Sequence, residues 1–197
     1  GLALPITAME FPPSHLDRSD EGPKGDIVPQ GYNRTCIEVC CGDNSRIGRD
    51  TGLNTLCARI RLTRHHDLTT SSGQAHAVKC IERAQKEHQG RLLLWASIPC
   101  TGGCPWNRLN RRSKSARKKI AAHKALFWKL WGSFVKLTEQ AVKRGGAMSA
   151  IEWLQSCEYW GLPEVKDFCD RYGLKRSIFH GCQFGVTSCD KNTFGWP

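Results

Sequence analysis

The chain reads as an α/β protein with a doubly wound, mostly parallel sheet and helices on both faces. Short apolar runs alternate with stretches of helical periodicity, the pattern of repeated strand–helix units. The run Leu92-Leu93-Leu94-Trp95-Ala96 is apolar throughout, which suits a parallel strand covered on both faces. That run opens into a loop of small residues, Pro99-Cys100-Thr101-Gly102-Gly103-Cys104-Pro105, and in open α/β sheets ligands gather at such carboxyl ends.

The elements follow in order. Residues 1–34 are rich in proline and mixed charge with no sustained period, and read as an extended arm. Residues 35–190 form the α/β domain and 191–197 a tail. Thr35 to Cys40 has strand composition, and the Cys41-Gly42-Asp43 turn after it leads to a short helix toward Gly52. Cys57 to Leu62 alternates as a second strand, followed by the polar loop Thr63–Thr70. Ser71 or Ser72 caps a helix through His88 whose inner face carries Ala77, Cys80, Ile81 and Ala84. From Ser113 to Arg144 apolar residues recur at three and four, making the longest helix, stopped by Gly145-Gly146. Its aromatic stripe (Phe127, Trp131, Phe134) is core packing. Ala147 to Trp153 is the next strand, Pro163 starts a helix ending at Gly173, and Arg176 to Phe179 is a fifth strand.

Charge is unevenly placed. The 197 residues carry a net charge of +11. Between Arg108 and Arg144 twelve lysines and arginines face one acid, Glu139, so this one stretch accounts for the whole excess. Arg108, Arg111, Arg112, Lys114, Arg117, Lys118 and Lys119 crowd its first third and mark a face for phosphate backbones. The partner they imply is a nucleic acid, within a larger assembly or parent polypeptide.

Eleven cysteines in a chain of this length, with no signal-peptide pattern at its start, indicate mostly free thiols in a reducing intracellular compartment, the nucleus included. Neither Cys36-x3-Cys40 nor Cys100-x3-Cys104 has the paired spacing of a structural zinc site. No apolar run reaches membrane-spanning length, so no membrane partner is expected. His65-His66 reads as a pair of solvated loop histidines. Asp43 and Asp67 suit turn and cap chemistry as well as ligand contact.

Four loops at strand ends now line up: Cys41-Gly42-Asp43, His66-Asp67-Leu68-Thr69, Pro99-Cys100-Thr101 and Glu152-Trp153. Their order and spacing resemble the S-adenosylmethionine-dependent cytosine-5 DNA methyltransferases. Ile37-Glu38-Val39-Cys40-Cys41-Gly42 resembles that family's first motif, Asp67-Leu68-Thr69 its adenine contact, Pro99-Cys100 its nucleophile motif, and Ile151-Glu152-Trp153 its Glu-Asn-Val motif. Phe184-Gly185-Val186 is similar to a later Tyr-Gly-Val segment. The resemblance implies a Rossmann-like fold and S-adenosylmethionine as cofactor, held by Glu38, Cys41, Gly42, Asp43, Asp67 and Pro99. It implies Cys100 as the nucleophile, Glu152 as its catalytic partner, and DNA in preference to RNA as the nucleic acid. The alternative is an inactive domain of the same fold that binds nucleic acid through Arg108–Lys119.

Overall fold

In the computed structural model four parallel strands lie in the order β2-β1-β3-β4: β1 Arg34–Cys41, β2 Cys57–Thr63, β3 Leu92–Ala96 and β4 Ala147–Ile151. Residues 32–43, 45, 47, 57–88 and 91–179 are described. The chain enters at β1, moves out to β2, crosses back to β3 on the far side of β1, and moves out again to β4. This doubly wound, Rossmann-like order puts a topological switch point between the carboxyl ends of β1 and β3.

One face of the sheet is dry. Ile37, Val39, Leu62, Leu94 and Ala96 are fully buried, at 0% exposure. Helices α1 (Ser71–His88) and α3 (Lys114–Lys143) pack on this face. Thr35 Oγ1 meets His88 Nδ1 of α1 at 2.6 Å, and Ser149 of β4 donates its hydroxyl to Thr138 Oγ1 of α3 at 3.4 Å. Helix α1 buries Ala77, Cys80, Ile81 and Ala84, the stripe its sequence sets out. Polar clasps join the two helices. Gln74 donates to Ser133 Oγ at 3.0 Å, and Gln85 to the Ala141 carbonyl at 2.7 Å.

The other face differs from the expectation of even cover. Cys36 and Glu38 are buried there, but Leu93 and Trp95 are half-buried, and Arg59 and Met148 are exposed. The face is closed over β1 and open toward both edge strands. Among the described residues, helices cover the first face only. Arg176–Phe179, expected as a fifth strand, has no regular structure, and Ile178 and Phe179 lie exposed with no face to bury. The expected helix toward Gly52 and the Phe184-Gly185-Val186 segment lie outside the described residues.

Helix α3 is longer than the sheet needs. Its 30 residues span about 45 Å at about 1.5 Å per residue, yet its buried side chains begin only at Phe127. Starting beyond β3 and returning to β4, it runs against the strands, so the stretch Lys114–Leu126, about 20 Å of helix, forms an overhang on the carboxyl side of its buried part. Ser113 caps it, its hydroxyl accepting from the Ala116 N–H at 3.0 Å. A short helix, α2 (Asn107–Asn110), lies beside the overhang, and α4 (Pro163–Arg171) packs Phe168 against Trp131 and Phe134.

Candidate functional site

The carboxyl edge gathers most of the residues that the sequence singles out. At the end of β1 the chain bulges between Val39 and Cys41, and Cys40 sits in the left-handed region at φ 61°. Gly42 follows in a turn closed by the Ser45 N–H on the Gly42 carbonyl at 3.1 Å. A side chain at Gly42 would meet nothing within 4 Å, so the turn faces open space.

Glu38 is the buried charge of this edge, at 4% exposure. Its Oε1 accepts from the Ser45 hydroxyl at 2.7 Å, while its Oε2 has no hydrogen-bond donor. Arg61 stands beside it in register on β2 and donates to the Ser45 carbonyl, but its buried Nε has no acceptor. Groups buried without partners cost free energy, so this pair marks a place where a polar ligand would gain from binding. Burial is the main cause that pushes the Cys41 thiol up to about 12; nearby Glu38 adds to it and Arg61 opposes it. Burial likewise holds Cys36 and Cys40 at about 12.

These raised thiols carry a prediction. A thiol held neutral in the folded chain titrates near 9 once unfolded, so its contribution to stability is complete below pH 9 and is lost as pH rises toward 12. Chemical denaturation at pH 8 and at pH 10.5 should show a clear drop in midpoint. An unchanged midpoint would mean these thiols are not buried.

Asp67 and Asp43 act locally. Asp67 Oδ1 accepts from the Thr69 hydroxyl at 2.7 Å and the Thr69 N–H at 3.1 Å, bonds that hold its carboxyl below the usual carboxylate range. Asp43 lies 3.9 Å from His65 at the surface. His66 closes a capping box with Thr63 and stacks on His76, so the paired histidines serve the turn into α1.

Cys100 follows exposed Pro99 on the loop beyond β3 and is half-buried against the core. A single 3-10 turn, Thr101–Gly103, carries the loop down onto Tyr159 and the overhang of α3. The fit is tight. A Cβ on Gly102 would stand 2.3 Å from Tyr159 Oη and 2.9 Å from the Lys124 amide, and one on Gly103 would stand 3.0 Å from Cys157 Sγ. The Asn107 side chain ties the turn to α2, donating to the Thr101 carbonyl at 2.7 Å and the Gly102 carbonyl at 3.2 Å. Tyr159 itself is buried with its hydroxyl unpartnered, stacked on Phe127 at 3.7 Å. Burial raises Cys157 to about 11, with the Cys100 and Cys104 thiols adding to the effect.

Glu152 directly follows β4, its N–H continuing the ladder to the Ala96 carbonyl at 3.0 Å. Its carboxylate is exposed and accepts from the Trp95 indole at 3.2 Å. Trp153, next in the chain, turns inward and donates to the Ile98 carbonyl at 2.8 Å. The structure therefore brings Glu152 to Trp95, and Cys100 to the Cys157–Tyr159 corner.

The basic residues divide into two groups. Arg108, Arg111 and Lys124 converge on Glu158, at 3.5, 3.8 and 3.5 Å, and so clamp α2 to α3. That acid lies 34 residues or more from its three cations in the chain, so no local pattern announces it. Arg117 donates to the Arg111 carbonyl at 3.2 Å. Arg112, Lys114, Lys118 and Lys119 are exposed and have no ion pair among the described residues. The nine described cysteines are free thiols, and no group of three or more metal-ligating side chains is found among the described residues. Among the same residues no helix is long and apolar enough to cross a membrane. Comparison with protein-family models, curated proteins and solved structures finds no match.

Proposed function

We propose that this domain is a divergent or partial nucleic-acid methyltransferase of the cytosine-5 type, with Cys100 as nucleophile and S-adenosylmethionine as methyl donor. The observation that carries the reading is the convergence at one switch point. The Glu38–Gly42 end of β1, the Pro99-Cys100 loop and the basic overhang of α3 share the same sheet edge. Ligands in open α/β sheets bind at such a point.

Glu38 fits a cofactor of this kind, because its buried Oε2 is an acceptor awaiting a donor. Gly42 offers an open turn for close backbone approach. Asp43, Asp67 and Pro99 flank the cleft in the assignment that the resemblance implies, although Asp67 is already engaged by Thr69. The second strand ends in Arg61-Leu62-Thr63, without the acidic residue the resemblance leads one to expect there. S-adenosylmethionine, when bound, supplies an electrophilic methyl group. The task of Cys100 is to add as a thiolate to C6 of the base, so that the electron pair reaches C5. A methyl group delivered to C5 would leave that carbon a proton to give up to solvent water, and its departure would expel the thiolate and restore the ring. Glu152 would hydrogen-bond the N3/N4 edge and hold a proton there. A base buried in a duplex must leave the stack to reach Cys100, and the cations of the overhang would hold the flanking phosphates.

A second reading, an inactive domain of the same fold that binds nucleic acid, is favoured by the bond from Trp95 to Glu152 and by the inward packing of Cys100. An oligonucleotide carrying 5-fluorocytosine distinguishes the two. Active protein should form a covalent, cofactor-dependent adduct that resists denaturing electrophoresis, and Cys100→Ser should abolish it while leaving oligonucleotide binding intact. Adduct formation by Cys100→Ser would remove the assigned nucleophile. Salt-sensitive binding with no adduct would select the second reading.

A further inference from the structure

We infer that Trp106 is a stacking platform for an unpaired base, so that the nucleic acid this surface takes is single-stranded where it meets the Cys100 loop. The inference rests on the nucleic-acid half of the proposed function and is independent of turnover.

Trp106 is 68% exposed at the start of α2, and Leu109, one turn later, is 61% exposed. The other described tryptophans are all engaged. Trp95, Trp153 and Trp160 donate their indole N–H groups, and Trp128 and Trp131 pack on Phe127. Among the described residues Trp106 is the one tryptophan whose ring touches no other ring and whose N–H has no acceptor. A large aromatic held in water is unfavourable unless something covers it.

The backbone that carries the residue is tied down. Pro105 precedes it, the Asn107 side chain locks the following position to the Thr101 and Gly102 carbonyls, and the Glu158 clamp holds Arg108 and Arg111 further along the same stretch. A backbone already fixed in place loses little entropy on binding. It also lies on the loop that carries Cys100, six residues further along.

Charge selects the partner. Arg108, Arg111 and Arg112 follow Trp106 within six residues, and Arg117, Lys118 and Lys119 are consecutive on a helix, about 100° apart around its axis. Positive charge that encircles a projecting helix suits a flexible polyanion that can bend around it. A lipid surface would need a broad apolar face along the helix, whereas the apolar residues of Lys114–Leu126 are four alanines, a half-buried Ile120 and Leu126. Exposed aromatics within a basic track are the means by which single strands are held, because an unpaired base offers a free π-face and a base within a duplex does not.

Binding is measured by fluorescence anisotropy on three probes: a short thymidine oligonucleotide, an abasic strand of the same length, and a hairpin duplex. Wild-type protein should bind the thymidine strand more tightly than the abasic one. Trp106→Ala should weaken thymidine binding about tenfold or more and leave abasic and duplex binding unchanged. Trp106→Phe should retain most of the affinity, and both variants should melt as wild type does, since the side chain is outside the core. Equal thymidine affinity for Trp106→Ala and wild type would overturn the stacking role while leaving the basic face in place. No salt-dependent binding of any strand by wild type would overturn the nucleic-acid reading itself. Binding to phosphatidylserine vesicles in the absence of strand binding would overturn the inference in favour of a lipid surface.

Discussion

Replacing Phe127 with alanine will destabilise the fold by about 3–5 kcal/mol. In a protein of this size that lowers the melting temperature by about 10 °C. Phe127 is 1% exposed and lies at the centre of an aromatic cluster, stacked on Tyr159 at 3.7 Å, 6.0 Å from Trp131 and edge-on to Trp153 at 5.9 Å. Beyond the lost area, the neighbouring rings are too rigid to collapse into the space. Tyr159 supports Gly102 and Gly103, so the damage should reach the Cys100 loop. Thermal melts measure the first effect and the rate of Cys100 alkylation the second. Trp128→Ala, on the exposed side of the same helix, should cost little by comparison. A small change for Phe127→Ala would mean that the overhang and the loop are anchored elsewhere.

The second large effect is electrostatic. Exchanging Arg112, Lys114, Lys118 and Lys119 together for glutamine removes four cations that no carboxylate neutralises among the described residues. Each phosphate contact on a single strand adds about 0.7 to the slope of log affinity against log salt, so the slope should fall by about 3. The loss should be the same for any sequence, because phosphate contacts carry no base information. Lys136 and Lys143, near the other end of α3, provide the control, and their exchange should leave the slope unchanged. An unaltered slope in the fourfold variant would place the polyanion elsewhere on the surface.

Much of the framework was legible from periodicity. Leu92–Ala96 is the third strand at the bounds its apolar run sets, and α3 begins and ends within a residue of its expected limits; α1 ends at His88 as expected but starts at Ser71, because Thr70 rather than Ser71 or Ser72 accepts from the Gly73 N–H. Those signals are local, and packing reinforces them. Among the described residues β3 is covered more fully on one face than on the other, and an all-apolar run gives no hint that Trp95 would turn a half-exposed face toward Glu152. The isolated run at Ile178-Phe179 failed as a strand, since composition without a partner makes no ladder. Within the site, the positions of Cys100, Gly42 and Glu152 at strand ends follow from the alternation of elements. The tight seat of Gly102 on Tyr159 and the Glu158 clamp join residues more than thirty positions apart, and no spacing rule reaches that far.

The overhang of α3 has a thermodynamic side as well. The amino end of a helix carries partial positive charge, and acidic residues usually stand there to balance it. Helix α3 has no acid in its first turn and instead carries Lys114, Arg117, Lys118 and Lys119 in its first two turns. Lys114 and Arg117, in the first turn, each oppose the helix dipole by about 0.3–1 kcal/mol, in a segment with almost no core contacts to offset it. An anion bound along this segment relieves the repulsion and the dipole mismatch together. Order in the first turns of α3 and occupancy by a polyanion are therefore linked quantities, and each raises the other by the same factor.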